Sequence, residues 1–154
     1  MLYDHSSKTV IGFVYFVLPA VLIFLLAAVF SFAEAADALP DANASAAVAF
    51  LAEHGWTVDP ASCETAEVRI PAEFGAVYES YNALQRSQGF DLLPLRGQTV
   101  ARYSFTVTDY PEEAYAGTVR ANVLFAGKKI VAADLCSVAL DGFIRGVKEE
   151  GRRQ

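Results

Sequence analysis

No lysine or arginine occurs between Lys8 and Arg69, and elsewhere the basic residues stand mostly alone in a chain of net charge −6. Phosphate binding needs clustered cations that displace counterions, so a nucleic-acid partner is not expected. The nearest thing to a basic cluster, Lys148, Arg152 and Arg153, is interrupted by Glu149 and Glu150 and reads as a solvated tail. Histidine is scarce (His5 and His54), and Cys63 and Cys136 are the only cysteines. A structural zinc site takes about four such ligands at close spacing, so no metal is expected. Glycine-rich phosphate loops, a Gly-x-Ser-x-Gly elbow and the Walker pattern are all missing, which leaves no nucleotide-type cofactor to expect. Internal repeats and low-complexity tracts are missing as well.

Apolar sequence, by contrast, is abundant. Hydrophobic residues make up 54% of the 154 positions, with a mean hydropathy of +0.30. The excess is concentrated in Val10 to Ala33, which carries no charge. A helix over these residues would span roughly 36 Å at ~1.5 Å per residue, enough for a hydrocarbon core of about 30 Å with some tilt. Pro19 lies inside the run, where membrane helices tolerate proline. A cleaved signal peptide is the competing reading, because Ala33-Glu34-Ala35 supplies a small-x-small site with cleavage after Ala35. The run is longer than a signal peptide needs and its start holds only Lys8, so an uncleaved anchor is expected. Lys8 before the span and no basic residue after it until Arg69 put the N-terminus in the cytoplasm and the rest outside. The expected organisation is a cytoplasmic N-terminus 1–9, a transmembrane helix 10–33 and a linker 34–45. An extracytoplasmic domain 46–147 and a tail 148–154 follow.

Within the domain, Asn43 or Ser45 caps a helix running through Glu53, and Gly55 stops it. Trp56 to Val58 and Ala66 to Ile70 alternate as strands around a turn at Asp59-Pro60. The spacing of Phe74, Val77, Tyr78, Tyr81 and Leu84 predicts the main helix over 72–88 with these residues on its buried face. Glu79, Asn82, Arg86 and Gln88 fall mostly on the opposite face. Phe90 to Gly97 is an apolar loop that packs down as a lid. Val100–Thr108, Thr118–Ala126 and Ile130–Ser137 read as three strands, the last two joined by a tight hairpin at Gly127-Lys128. Consecutive antiparallel strands pair, so the fold class is α+β: an antiparallel β-meander packed on one face by one or two helices, the helix 72–88 first among them.

Several short motifs in order carry a resemblance. They are Phe50-Leu51-x-x-x-Gly55-Trp56, Ile70-Pro71-x-Glu73-Phe74 with Val77-Tyr78, and Tyr81-Asn82-x-Leu84-Gln85 with Gln88-Gly89-Phe90-Asp91-Leu92. Arg96-Gly97, Arg102-Tyr103, Arg120-Ala121-Asn122 and Asp134-x-Cys136-Ser137-x-x-Leu140-Asp141-Gly142-Phe143 complete the set. From about Val48 to Phe143 the chain resembles a bacterial domain-of-unknown-function family, the one numbered 4830. The resemblance implies a short protein with an N-terminal membrane segment, found mainly in Gram-positive anaerobes, and implies no activity. One departure is Ala132-Ala133, where a Gly-Gly pair is more typical, which argues against a close backbone approach at that point.

Four groups of residues are candidates for chemistry. Cys63 and Cys136 either close a disulfide, which would stabilise by about 4–5 kcal/mol on the chain-entropy model, or stand as separate thiols. An anaerobic host favours the thiols, with Cys136 as a buried small hydrophobe in its strand. Cys136 as a nucleophile would need a base, and His54 at a helix end is the only histidine on its side of the membrane. Asp134, Asp141, Glu73 and Glu79 are the carboxylates from which a glycosidase-like pair would be drawn. Asp134 lies in an otherwise apolar strand, so a buried ion pair with Arg102 or Arg120 on neighbouring strands is expected there as a structural feature. None of these makes a convincing catalytic constellation, so an enzyme is not expected. The leading expectation is a non-catalytic binding or sensing module at the cell envelope with an envelope protein partner. Tyr78, Tyr81, Tyr103, Tyr110 and Tyr115 are candidates for its recognition surface. The alternatives are a small envelope enzyme using carboxylates or Cys136, and a structural subunit of a membrane complex.

Overall fold

The computed structural model describes residues 40–148. The expected transmembrane helix 10–33, most of the linker and the tail beyond Lys148 therefore lie outside the described residues. Among the described residues no helix is long and apolar enough to cross a membrane.

Helix α1 spans Ala42–Glu53 and begins earlier than expected, because Asp41 rather than Asn43 or Ser45 is its cap. The Asp41 Oδ1 accepts the Ala44 N–H at 2.9 Å, and its Oδ2 accepts the Tyr103 hydroxyl at 2.6 Å. Together these hold the Asp41 carboxyl below its usual range, the tyrosine bond contributing most. Gly55, at φ 83°, closes the helix as expected: its N–H reaches Ala52 O and the Trp56 N–H reaches Leu51 O.

Strand β1 follows as Val58–Arg69, one bulged strand where two strands around a turn were expected. Pro60 has no N–H to give, so the ladder to the next strand breaks between Asp59 and Glu64. Ser62 repairs the gap by accepting the Thr106 N–H at 2.8 Å with its hydroxyl. Helix α2 spans Ala76–Ser87, and a 3-10 turn over Leu93–Leu95 leads into β2, Thr99–Val107. A second short turn precedes β3, Val119–Ala126, which a hairpin at Gly127 joins to β4, Lys129–Ser137. The two-residue β5, Ile144–Arg145, completes a five-stranded antiparallel meander in sequence order. The element types are those expected, and the domain is α+β.

Alternation divides the sheet into two unlike faces. On the first, Tyr103, Phe105 and Val107 align with Val119, Ala121, Val123 and Phe125, and with Ala133 and Leu135, against Ala44, Ala47 and Leu51 of α1. Burying a side chain such as Phe105 or Leu135 contributes about 1.5–3 kcal/mol, so this face carries most of the cohesion. The second face is apolar only at one end, where Val100, Leu124 and Ala132 meet Ile70, Leu92 and the aromatics Phe74, Tyr78 and Tyr81. Leu92 is fully buried there, so the 90–97 loop does act as a lid.

Two expectations fail here. The helices pack on opposite faces rather than one, and α1 covers the main apolar face that was assigned to the helix 72–88. The inward side of α2 is also only partly the one expected: Tyr78 and Tyr81 pack inward, but they share that side with amides. Val77 is 86% exposed, while Asn82, Gln85 and Gln88 are buried. The amides face inward because the surface they meet is unpaired backbone. Asn82 Oδ1 accepts the Leu92 N–H at 2.8 Å, and Gln85 Oε1 accepts the Ala133 N–H at 3.0 Å. Gln88 donates to Ala133 O at 2.9 Å and accepts the Val147 N–H at 2.7 Å. Two glutamines thus stand in for a neighbouring strand along β4. This reverses the inference drawn from Ala132-Ala133: both alanines are fully buried, and side chains from α2 approach the backbone closely between them.

Candidate functional site

Beyond the apolar end covered by α2, the second face of the sheet is polar. Register lines up two cross-strand rows. The first is Glu64, Ser104, Asn122 and Asp134; beside it, Thr106, Arg120, Cys136 and Ile144 form the second. The sheet twist and the 4.5–5.5 Å spacing of directly opposed residues bring these side chains into mutual reach.

Hydrogen bonds run along the first row from Ser104 to Asp134. Ser104 donates to Asn122 Oδ1 at 2.6 Å, and Asn122 Nδ2 donates to Asp134 Oδ1 at 2.8 Å. From α2, the Tyr81 hydroxyl donates to Asp134 Oδ2 at 2.8 Å. Asp134 is only 3% exposed, and burial pushes its carboxyl above the usual range while Asn122 and Tyr81 pull the other way. Burial and the neighbouring carboxylate push the Tyr81 hydroxyl strongly upward, so tyrosine remains the donor of this pair.

The expected ion pair of Asp134 with Arg102 or Arg120 is not formed. Asp134 is buried, as the sequence suggested, but neutral donors satisfy it. Arg102 is exposed and acts on Asp134 only through space. Arg120 turns along the second row instead, donating to Thr106 Oγ1 at 3.0 Å and pairing with Glu64 at 3.3 Å. The physical reason is reach and desolvation: an amide and a phenol fit into the covered end of the row, and bringing a guanidinium there would strip it of water. Glu64 and Arg120 keep partial exposure, so their pair adds only about 0–1 kcal/mol.

Of the two readings of the cysteines, the favoured one holds: they are separate thiols and close no disulfide. Cys63 packs against the first-face core, and Cys136 points to the second face, accepting from Asn122 Nδ2 at 3.4 Å. They lie in β1 and β4, three strand spacings apart, or about 14 Å at ~4.8 Å per spacing. A disulfide needs Cα atoms within about 7 Å and converging side chains. A reductant is therefore expected to leave the thermal midpoint unchanged, and both thiols should react with a maleimide after unfolding without prior reduction. A midpoint that falls on reduction would contradict this.

The arrangement can hold charge and hydrogen bonds in place, but it lacks an activated group. Burial pushes the Cys136 thiol up, away from the thiolate a nucleophile requires. His54 is on the other side of the sheet, hydrogen-bonded to Phe50 O at 2.7 Å and packed on the Phe50 ring. Asp141, Glu73 and Glu79 are exposed and take no part in the Asp134 network. No group of three or more metal-binding side chains occurs among the described residues. The tyrosines do not make one surface either. Tyr103 is buried on the first face, Tyr78 and Tyr81 line α2, and Tyr110 and Tyr115 join Phe143 in an aromatic cluster. Arg145 lies over the Phe143 ring at 4.2 Å in that cluster. Sequence reading missed Asn122 and Tyr81 as partners of Asp134, and Ser104 as the partner of Asn122. The signal for Ser104 and Asn122 was positional, since each sits on the polar phase of its strand in the cross-strand row that ends at Asp134.

A family model for a domain of unknown function, DUF4830, matches residues 50–135. The chain belongs to the DUF4830 family. The match is narrower than the 48–143 read from the motifs. It takes in the end of α1, the whole of α2 and β1 to Leu135 of β4, and with them Tyr81, Ser104, Asn122 and Asp134. Cys136, β5 and the segment through Lys148 fall outside it. No curated protein and no solved structure gives a match.

Proposed function

We propose that this DUF4830 chain is a non-catalytic binding or sensing module of the bacterial cell envelope, held by its N-terminal span with the α+β domain outside the cytoplasm. The reading of the anchor rests on the uncharged run Val10 to Ala33 and on Lys8, the only cation before Arg69. One observation carries the non-catalytic part. The buried carboxylate, the group best suited to acid–base work, has both oxygens engaged by Tyr81 and Asn122. A general base must reach a substrate proton within hydrogen-bond distance, and Asp134 has no oxygen turned to solvent for it. The exposed polar rim of Arg102, Glu64 and Arg120 suits recognition better than turnover.

The test has two parts on the full-length chain. C-terminal fusions to a reporter active only outside the cytoplasm should be active, and a cytoplasmic reporter silent. Affinity capture from membranes in mild detergent should return the same partner with the parent chain and with Cys136→Ser. Reporter activity in the opposite compartment would overturn the anchor reading. A partner lost only with Cys136→Ser would return thiol chemistry to consideration.

A further inference from the structure

We infer that the outer edge of β1 is a self-pairing site. Residues 64–69 of two copies join in an antiparallel ladder centred on Val68, with Glu67 of each copy opposite Arg69 of the other. This goes beyond the binding-module reading and does not depend on it. β1 stands at the end of the sheet order, and β2 is the one strand it pairs with among the described residues. Its edge is guarded unevenly. Pro60 and the bulge between Asp59 and Glu64 disrupt the first half, as in edge strands that resist partners. From Glu64 to Arg69 the pairing with β2 is regular, and Glu64, Thr65, Ala66 and Glu67 are all exposed.

Backbone phase fixes which groups this edge offers. The Ile70 N–H donates to Gln98 O at 2.9 Å, one step beyond the Arg69–Thr99 pair. Hydrogen-bonded and open pairs alternate along antiparallel strands, so Val68, Ala66 and Glu64 bond to β2. Thr65, Glu67 and Arg69 therefore turn their N–H and C=O groups outward. On β4 the outward groups of Ala133 are covered by the amides of Gln85 and Gln88. On β1 no comparable cover is in place among the described residues. A row of alternating donors and acceptors is matched by another extended backbone.

Charge selects a second copy as that backbone. Two-fold pairing of identical strands keeps every side chain on its own face of the sheet, so odd residues meet odd and even meet even. Thr65, Glu67 and Arg69 share the first face, and Glu64, Ala66 and Val68 share the second. A ladder centred on Glu67 or Glu64 sets that glutamate against itself, and one centred on Thr65 or Ala66 leaves Arg69 without an acid opposite. Centring on Val68 sets Glu67 against Arg69 on both sides of the axis. The same two residues then exchange their outward backbone hydrogen bonds. Guards of a single sign repel a copy, whereas opposite signs two residues apart attract one. Val68, already packed on the cluster of Ile70, Leu92 and Val100, meets its own copy at the centre and extends that cluster across the axis.

The test is disulfide trapping of the full-length chain in membranes, with Cys63→Ser and Cys136→Ser removing the native thiols. Directly opposed residues at an open pair have Cα atoms about 4.5 Å apart, within disulfide range. Val68→Cys should oxidise to a linked dimer, and Ala66→Cys and Glu67→Cys should not. Adding Glu67→Arg or Arg69→Glu to Val68→Cys should slow trapping about tenfold. Both reversals together should restore it, because they exchange the charges and keep the pairing. Positions 67 and 69 are exposed, so the thermal midpoint should stay with the parent's and separate pairing from folding. Trapping at 66 or 67 in place of 68, single reversals without effect, or no linked dimer at any position would overturn the inference. So would an adduct from position 68 to a different protein. Trapping as expected, with no partner returned by affinity capture, would count against the binding module alone.

Discussion

Gln88→Ala is expected to unfold the domain at ordinary temperatures or to lower its stability by about 3–6 kcal/mol. The side chain is buried and bridges β4 to the backbone just beyond β5. Its Nε2 donates to Ala133 O, and its Oε1 accepts the N–H groups of Val147 at 2.7 Å and Lys148 at 3.3 Å. Removing it strands buried backbone groups that each cost about 1–3 kcal/mol, against a total stability of about 5–15 kcal/mol. Gly146→Ala should act on the same joint from the other side, because its Cβ would come 2.6 Å from Gln88 Cδ. Gln98→Ala is the control: its amide donates to Pro94 O at the surface, and its loss should stay within about 0.5 kcal/mol. Urea titrations of the three variants decide the matter. A Gln88→Ala protein within about 1 kcal/mol of the parent, on the order of a routine surface change, would mean that the C-terminal segment is held by Trp56, the β4–β5 pairing and the core. Trp56 does contribute, donating from Nε1 to Val147 O at 3.0 Å.

Asp134→Leu is the second large effect, expected to cost about 3–5 kcal/mol. The substitution leaves the Tyr81 hydroxyl as a covered donor without its acceptor and the Asn122 amide with only the weak Cys136 Sγ contact. Asp134→Asn should cost less, about 1–2 kcal/mol, since its one carbonyl oxygen satisfies one of the two donors. The pH dependence separates charge from packing. Burial raises the folded-state pKa of Asp134 above the value of 3.8 it has when exposed. Between those two values the folded state holds more protons than the unfolded chain, so stability declines as pH rises through the folded pKa. The contribution is complete below pH 3.8 and lost above the raised value. Compared with the parent, Asp134→Asn should thus show its largest deficit in acid and a smaller one near neutrality. A deficit that instead grows toward neutrality would mean that Asp134 folds as a stabilised anion. Paired melts across the acid range distinguish the two.

Most of the domain's secondary structure could be read from residue order. Strand alternation placed Tyr103, Phe105 and Val107 on one side, and glycines at 55, 89 and 127 punctuated the right boundaries. Such features are local: a glycine at a left-handed position and a period of two in a strand depend on the chain itself. The buried position of Asp134 was legible too, because a carboxylate in an apolar strand has nowhere else to point. Its partners were not. Choosing Asn122 and Tyr81 over Arg102 and Arg120 required the register of β3 against β4 and the position of α2.

The amide face of α2 marks the limit most clearly. Hydrophobic period predicts an aromatic inner face; Phe74, Tyr78 and Tyr81 do pack inward, but Val77 is exposed and three amides are buried beside them. Period measures affinity for apolar surroundings, whereas the surface that α2 meets includes unpaired backbone along β4. A glutamine satisfies such a surface and a valine does not. Sequence by itself determined the α+β class, the element order and the expectation of an anchored chain. Tertiary structure alone decided which helix covers which face, that the cysteines stay apart and that Gln88 and Asp134 are joints. The physical reason is that hydrogen bonds between distant segments, unlike turns and periods, leave no trace in neighbouring residues.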